Sequence, residues 1–142
     1  MNQIIVDTGP IVAYLRASDH YHAWARHRFE ELAPPFWTCE PVLTEAAFLL
    51  SRFGGAQNVE VLLALVRRGA LRVTFVLADQ VGQLLELLRR YKDVPMSLAD
   101  ACLVRMAELR SGGVVLTLDS DFTIYRIHGR TPIPLLMPAH EP

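Results

Sequence analysis

The feature that most constrains the fold is the alternation of short apolar segments with longer helix-forming segments along the chain. The apolar segments are rich in branched and aromatic side chains, which favour buried strands. Start and stop signals bound the helical segments, such as Pro10 at a first helical position, Ser18 as an N-cap and Gly69 after a last turn. We predict strands at residues 3–6, 36–38, 71–76, 114–118 and 133–136, and helices at 11–16, 18–33, 40–53, 59–68, 78–91 and 97–110.

This order of elements predicts an α/β fold. Strands that alternate with helices pair in parallel and place the helices on both faces of the sheet, which gives a three-layer α/β/α sandwich. The 142 residues correspond to one domain, and we assign residues 1–142 to it. A chain of this length buries roughly 68–70% of its unfolded surface, so it can build its own core.

Composition excludes several classes of protein. Hydrophobic residues make up 51% and charged residues 20%, which excludes a disordered chain. A net charge of −1 excludes a strongly basic nucleic-acid binder, although a local basic patch is still possible. Apolar stretches fall short of the roughly 20 residues of a spanning helix, and the N-terminal segment lacks a basic export region. Two cysteines are too few for a disulfide framework, so we expect a reduced, cytoplasmic protein without membrane association.

Two predicted strands end directly in an aspartate, at Asp7 and at Asp119. Ligands of open parallel sheets bind outside the carboxyl ends of the strands, so these two carboxylates are candidates for a functional site. The alternative is that each is an ordinary turn or helix-capping aspartate. Asp121 follows two residues later and is either a further ligand or a turn residue.

Two more acids stand in unusual surroundings. Glu45 is the only charge between Glu40 and Arg52 in an apolar helical run, and burying it unpaired would be costly. It therefore faces either solvent or a site. Asp100 follows Ser97 at the spacing of a capping box, which offers a purely structural explanation beside a functional one.

In order and local context, Asp7, Glu45, Asp100 and Asp119 resemble the four acids of PIN domains, and in particular of VapC-type toxins. The resemblance covers about residues 3 to 137. It implies an α/β/α sandwich, Mg²⁺ or Mn²⁺, endoribonuclease activity, a homodimer and a small antitoxin partner. Relatives often carry a further acid where this chain has Ser97, so the ligand set stays open. The matching segments are Ile5-Val6-Asp7-Thr8, Val42-Leu43-Thr44-Glu45, Ser97-Leu98-Ala99-Asp100-Ala101 and Val115-Leu116-Thr117-Leu118-Asp119-Ser120-Asp121-Phe122.

From this resemblance we assign catalysis to the four acids. We assign metal ligation to the three aspartates among them together with Asp121, and not to Glu45. Four neighbouring residues are expected to contact the RNA substrate, although for the two arginines ordinary surface exposure is the alternative. The helices between residues 21 and 66 are expected to supply the subunit and partner surface. The metal ligands are Asp7, Asp100, Asp119 and Asp121, and the substrate contacts are Thr8, Thr117, Arg126 and Arg130.

The chemistry of these residue types agrees with the resemblance. Hard divalent cations prefer oxygen ligands, and clustered carboxylates repel one another unless a cation is bound or some are protonated. No Ser-His-Asp or Cys-His arrangement is evident, so hydrolysis by metal-activated water is favoured over covalent catalysis. Apart from the five acids, the chain carries −1 + 5 = +4, which suits a polyanionic substrate.

Parts of the sequence fit two other functions. The run from Asp119 to Thr123 has the D-x-D-x-T pattern of haloacid-dehalogenase-like phosphatases, but no later residue is the lysine or aspartate that such enzymes need. A non-catalytic RNA-binding or regulatory subunit is the second alternative, and the presence of all four acids argues against it. His20, His22 and His27 lack the spacing and third ligand of a zinc site.

Overall fold

The computed structural model describes residues 3–53 and 55–139, which form an α/β fold around a five-stranded sheet of order β3-β2-β1-β4-β7. Every pairing in this sheet is parallel, and the helices flank it. The strands are β1 (Gln3–Val6), β2 (Phe36–Trp37), β3 (Leu71–Arg72), β4 (Gly113–Leu116), β5 (Arg126–Ile127), β6 (Thr131–Pro132) and β7 (Leu135–Leu136). The helices are α1 (Thr8–Leu15), α2 (His22–Leu32), α3 (Glu40–Phe53), α4 (Ala56–Arg67), α5 (Val81–Arg90) and α6 (Leu98–Leu109). The predicted three-layer sandwich with a parallel sheet is therefore confirmed.

The centre of the sheet is the pairing of β1 with β4. Val6 lies opposite Leu116, and the Asp7 N–H continues the ladder by donating to the Leu116 carbonyl over 3.0 Å. The two strands consequently end at the same level. The residues that follow them emerge side by side at the carboxyl edge of the sheet.

Several element boundaries differ from the sequence prediction. Helix α1 begins at Thr8 rather than residue 11, because the Asp7 side chain caps it by accepting from the Thr8 N–H. Helix α2 begins at His22, so Ser18 is not its N-cap; Asp19 instead accepts from the Tyr21 N–H in a turn. Strand β3 and strand β7 each keep only two residues of the predicted stretch.

Residues 126–132, to which the sequence prediction assigns no element, form the small antiparallel hairpin β5–β6. The predicted helix at 78–91 is divided into a 3-10 turn at Leu77–Gln80 and α5. The N–H of His128 donates to the buried Glu108 carboxylate over 2.7 Å, which ties the hairpin to α6.

The core lies between the sheet and the helices that flank it, with α6 as its most buried helix. Both central strands are apolar and buried, and most of α6 is buried as well. Cys39 and Cys102 are free and buried in this region. Contact with Cys102 and burial raise the pKa of the Cys39 thiol, which keeps it protonated at neutral pH. No helix within the described ranges is both long enough and apolar enough to span a bilayer.

Two leucines of α6 provide a matched test of this packing. Leu103 is fully buried, whereas Leu109 is 50% exposed. We expect Leu103→Ala to lower the free energy of unfolding by about 2–5 kcal/mol, because it removes buried methyl groups and leaves a cavity. Leu109→Ala should change it by no more than about 0.5 kcal/mol. Urea denaturation followed by circular dichroism measures both, and equal losses would contradict this assignment of the core.

Candidate active site

Acidic side chains from four parts of the fold converge on one cleft at the carboxyl edge of the sheet. Asp7 follows β1, Asp119 follows β4, Glu45 lies in α3 and Asp100 lies in the first turn of α6. The cleft has a volume of about 620 Å³. Its lining also includes Thr8, Gly9, Leu49, Pro95, Ser97, Leu118, Ser120 and Asp121.

Asp7 is the most deeply placed of these acids, with 6% of its surface exposed. Its Oδ1 accepts from the Thr8 N–H and its Oδ2 accepts from the Thr117 hydroxyl, each over 2.7 Å. The pKa of Asp7 is raised from 3.8 to about 6: burial is the main cause, the charges of Asp100 and Asp119 add to it, and the two hydrogen bonds oppose it. Ionising Asp7 in this cleft is therefore costly unless a cation compensates.

One hydroxyl links the acids of the two central strands. Thr117 donates to Asp7 and accepts from the Asp119 N–H over 2.9 Å. Asp119 Oδ1 in turn accepts from the Asp121 N–H over 2.9 Å, which shapes the turn after β4. The Thr117 side chain is fully buried and orients the acids, so its predicted contact with the substrate stays a prediction without support from this geometry.

The backbone N–H of Asp100 takes part in a helix cap, and its carboxylate makes a second contact that the sequence did not predict. The Ser97 hydroxyl caps α6 by accepting from the Asp100 N–H over 3.0 Å. The Asp100 carboxylate accepts from the Tyr125 hydroxyl over 2.7 Å. Burial is the main cause that raises the pKa of Asp100, and the charges of Asp119 and Glu45 add to it.

Tyr125 is the functional neighbour that sequence reasoning missed. Its ring is fully buried and packs edge-on against Tyr91 and Phe122, with centroid distances of 5.0 and 5.2 Å. Burial and the hydrogen bond to Asp100 raise the pKa of its hydroxyl, so it remains a donor to Asp100. A tyrosine 25 residues from its partner carries no local sequence signal.

Glu45 and Thr8 face each other at the mouth of the cleft. The Thr8 hydroxyl donates to Glu45 Oε2 over 3.0 Å, and the Glu45 side chain is exposed. Helix α3 therefore directs Glu45 both toward the cleft and toward solvent. Thr8 lines the cleft, and the contact of its side chain with the substrate stays a prediction.

Three carboxylates are close enough to hold one cation. Oxygens of Asp100, Asp119 and Asp121 all lie within 4.8 Å of one another. Asp7 lines the same cleft, but both of its oxygens already accept hydrogen bonds. Carboxylate oxygens around an open cleft are the donor set that Mg²⁺ and Mn²⁺ prefer. The residues present therefore fit a hard divalent cation.

The two arginines predicted to contact phosphates lie outside the lining of the cleft. Arg126 donates from Nη1 to the carbonyls of Thr123, Ile124 and Tyr125, and thereby caps the 3-10 turn that follows Asp119. Arg130 is exposed in the turn between β5 and β6. Arg126 thus supports the shape of the acidic turn, and the contacts of both arginines with phosphates stay predictions.

Comparison with known proteins agrees with this geometry. Residues 4–127 match the family model of the PIN domain. The chain is similar to Mycobacterium tuberculosis VapC20, a Sarcin-Ricin loop cleaving toxin, with a TM-score of 0.76, 28% identity and coverage of 86% of this chain and 94% of the other. It also resembles DNA-bound VapBC from Salmonella typhimurium, with a TM-score of 0.64, 20% identity and coverage of 96% and 98%. No curated protein matches it.

The raised pKa of Asp7 predicts an unusual pH dependence of stability in the metal-free protein. Its pKa rises from 3.8 to about 6 on folding, so Asp7 favours the folded state most below pH 4 and loses that contribution as the pH rises through 6. The loss amounts to about 3 kcal/mol. Asp7→Asn should therefore gain stability relative to the parent between pH 4 and 7, measured by urea denaturation in EDTA. A constant difference between the two proteins would contradict the raised pKa.

Proposed function

The chain belongs to the PIN domain family, and on that premise we propose that it is a metal-dependent endoribonuclease and the toxin of a toxin–antitoxin pair. The observation that carries the proposal is the cluster of Asp100, Asp119 and Asp121, with Asp7 and Glu45 in the same cleft. The cleft is open to solvent on the side of Glu45, which gives a polymer access to it.

Mg²⁺ or Mn²⁺ is the proposed cofactor. A cation bound there would polarise the scissile phosphate and lower the pKa of a bound water. Asp100, Asp119 and Asp121 would hold it, and its charge would compensate the burial and the repulsion that raise the pKa values of Asp7 and Asp100. The hydrogen bonds from Thr117 and Tyr125 keep two of the carboxylates in place before any ligand arrives.

Glu45 is suited to a different role from the buried acids. The Glu45 carboxylate is exposed, and the hydrogen bond from the Thr8 hydroxyl engages Oε2 and not Oε1. Oε1 can therefore accept a proton from a water that attacks the phosphate at the mouth of the cleft. We assign Glu45 to orienting and deprotonating that water, and Thr8 to holding Glu45 against α1.

The substrate and partner classes come from the named relatives. VapC20, a Sarcin-Ricin loop cleaving toxin, is 28% identical to this chain and supports RNA as the substrate class. The proposed partner is a small antitoxin, in line with the resemblance to VapBC. A cytoplasmic location belongs to the same proposal, because RNA and two free cysteines both fit that compartment.

The first test is cleavage of structured RNA by the purified chain. We expect no cleavage in EDTA and restored cleavage with Mg²⁺ or Mn²⁺. Asp100→Asn should lose more than about 100-fold in rate at saturating metal, because a ligand worth several kcal/mol is removed. The exposed Asp79→Asn is the matched control and should cleave normally.

Melting temperatures separate a metal ligand from a helix cap at Asp100. If Asp100 is a metal ligand among like charges, Asp100→Asn should leave the melting temperature of the metal-free protein unchanged or raised. Mg²⁺ should then stabilise the variant less than it stabilises the parent. If Asp100 only caps the helix, the variant should melt at a lower temperature than the parent and cleave normally.

RNA left intact while p-nitrophenyl phosphate is hydrolysed would indicate a phosphatase, and RNA binding without cleavage would indicate a non-catalytic subunit.

We also propose a homodimer, in which α4 supplies part of the interface. Val61 and Leu63 of α4 are apolar and 45% and 58% exposed. Light scattering at micromolar concentration should give twice 16.0 kDa. Leu63→Glu should shift the mass toward the monomer, because it places a charge in an apolar contact. Leu109→Glu, at a similarly exposed leucine of α6, should remain dimeric. A monomeric parent protein would refute the dimer.

A further inference from the structure

A surface of exposed aromatic rings and arginines lies on α3, beside the acidic cleft. Phe48 and Phe53 are 59% and 54% exposed, which is unusual for large apolar rings that face water. Arg52 of α3 and Arg16 at the end of α1 accompany them. We call these four residues the aromatic–arginine face.

The arginines of this face lie over its rings. The Arg16 guanidinium carbon is 4.2 Å from the centroid of Phe53, and that of Arg52 is 5.7 Å from Phe48 and 5.9 Å from Phe53. Guanidinium groups stack on aromatic faces and also bind phosphate through paired N–H donors. The face therefore offers flat stacking surfaces and phosphate donors together.

The two arginines of this face differ from several other arginines of the described residues in their ion pairing. Arg26, Arg28 and Arg105 each pair with a glutamate on their own helix. Within residues 3–53 and 55–139, the ion pairs include neither Arg16 nor Arg52. The local excess of positive charge is complementary to a polyanion.

The face is continuous with the cleft along α3. Glu45 and Leu49 line the cleft, and Phe48 and Arg52 follow Glu45 by three and seven residues on the same side of the helix. At 1.5 Å per residue, Arg52 lies about 10 Å beyond Glu45 along the axis. A strand held in the cleft would meet this face as it leaves.

We propose that the aromatic–arginine face binds the single-stranded RNA that flanks the scissile phosphate. Bases stack on the exposed rings of Phe48 and Phe53, and Arg16 and Arg52 contact the adjacent phosphates. Stacking on aromatic rings tolerates any base, so this face contributes affinity and direction of the strand rather than sequence preference. The inference rests on RNA being the substrate, as proposed above.

Binding is tested without cleavage, so that this proposal and the nuclease proposal fail separately. The protein carries Asp119→Asn and is kept in EDTA, and the probe is a fluorescein-labelled, mixed-sequence single-stranded RNA followed by anisotropy. Phe48→Ala should weaken binding roughly 5- to 100-fold, as loss of one stacked base does. Leu109→Ala, another exposed apolar side chain, should bind like the parent.

Salt dependence identifies the phosphate contact. Arg52→Gln should lower the slope of log K against log salt concentration by about 0.7, whereas Phe48→Ala should leave the slope unchanged. Arg26→Gln is the control, because Arg26 is an exposed arginine on α2 that pairs with Glu30. Parental affinity and slope in the Phe48 and Arg52 variants would overturn the proposal.

A protein–protein role for this face gives a different result. If Phe48→Ala converts a dimer to a monomer in light scattering and leaves RNA affinity at the parental value, the face is a subunit interface and the proposal is wrong. If the RNA binds through the face but is not cleaved when the parent sequence receives Mg²⁺, the nuclease proposal fails and the binding face stands.

Discussion

The parallel pairing of β1 with β4 is the constraint on which the rest of the structure depends. Because Val6 lies opposite Leu116, the chain leaves both strands at the same edge, and Asp7 and Asp119 follow there. Thr117 fixes the position of Asp7 relative to Asp119, since its buried hydroxyl donates to the Asp7 carboxylate and accepts from the Asp119 backbone N–H. A slip of one residue in this register would turn the strand side chains to opposite faces and separate the acids.

The fold places the carboxylates of the site where burial and neighbouring charges make their ionisation unfavourable. Burial and mutual repulsion raise the pKa values of Asp7 and Asp100, and the well-packed core of α6 and the central strands supplies the stability that tolerates this. Tyr125 and Ser97 hold Asp100 from two sides, one through its carboxylate and one through its backbone N–H. Acids held in this way need little reorganisation when a cation arrives, which is the usual condition for an effective metal site.

The same helices serve the interior and the exterior of the protein. Helix α3 buries Val42, Ala46 and Leu50 in the core, while Glu45 reaches the cleft and Phe48 faces solvent. The 3.6-residue period allows one helix to present these separate sides. The acidic site and the aromatic–arginine face are therefore linked by a single rigid element, which sets the distance between them.

By itself, the sequence predicted the fold class and the parallel sheet from hydrophobic periodicity, and it predicted that Asp7 and Asp119 meet at one edge because each follows a strand. Glu45 and Asp100 joined that set through the resemblance to PIN domains. The sequence could not determine which carboxylates approach one another, since the proximity of Asp100, Asp119 and Asp121 depends on how α6 packs against β4. Tyr125, the burial of Thr117 and the turn-capping role of Arg126 likewise required the tertiary structure. Each depends on contacts or burial created when distant segments pack together, and short motifs carry no record of such packing.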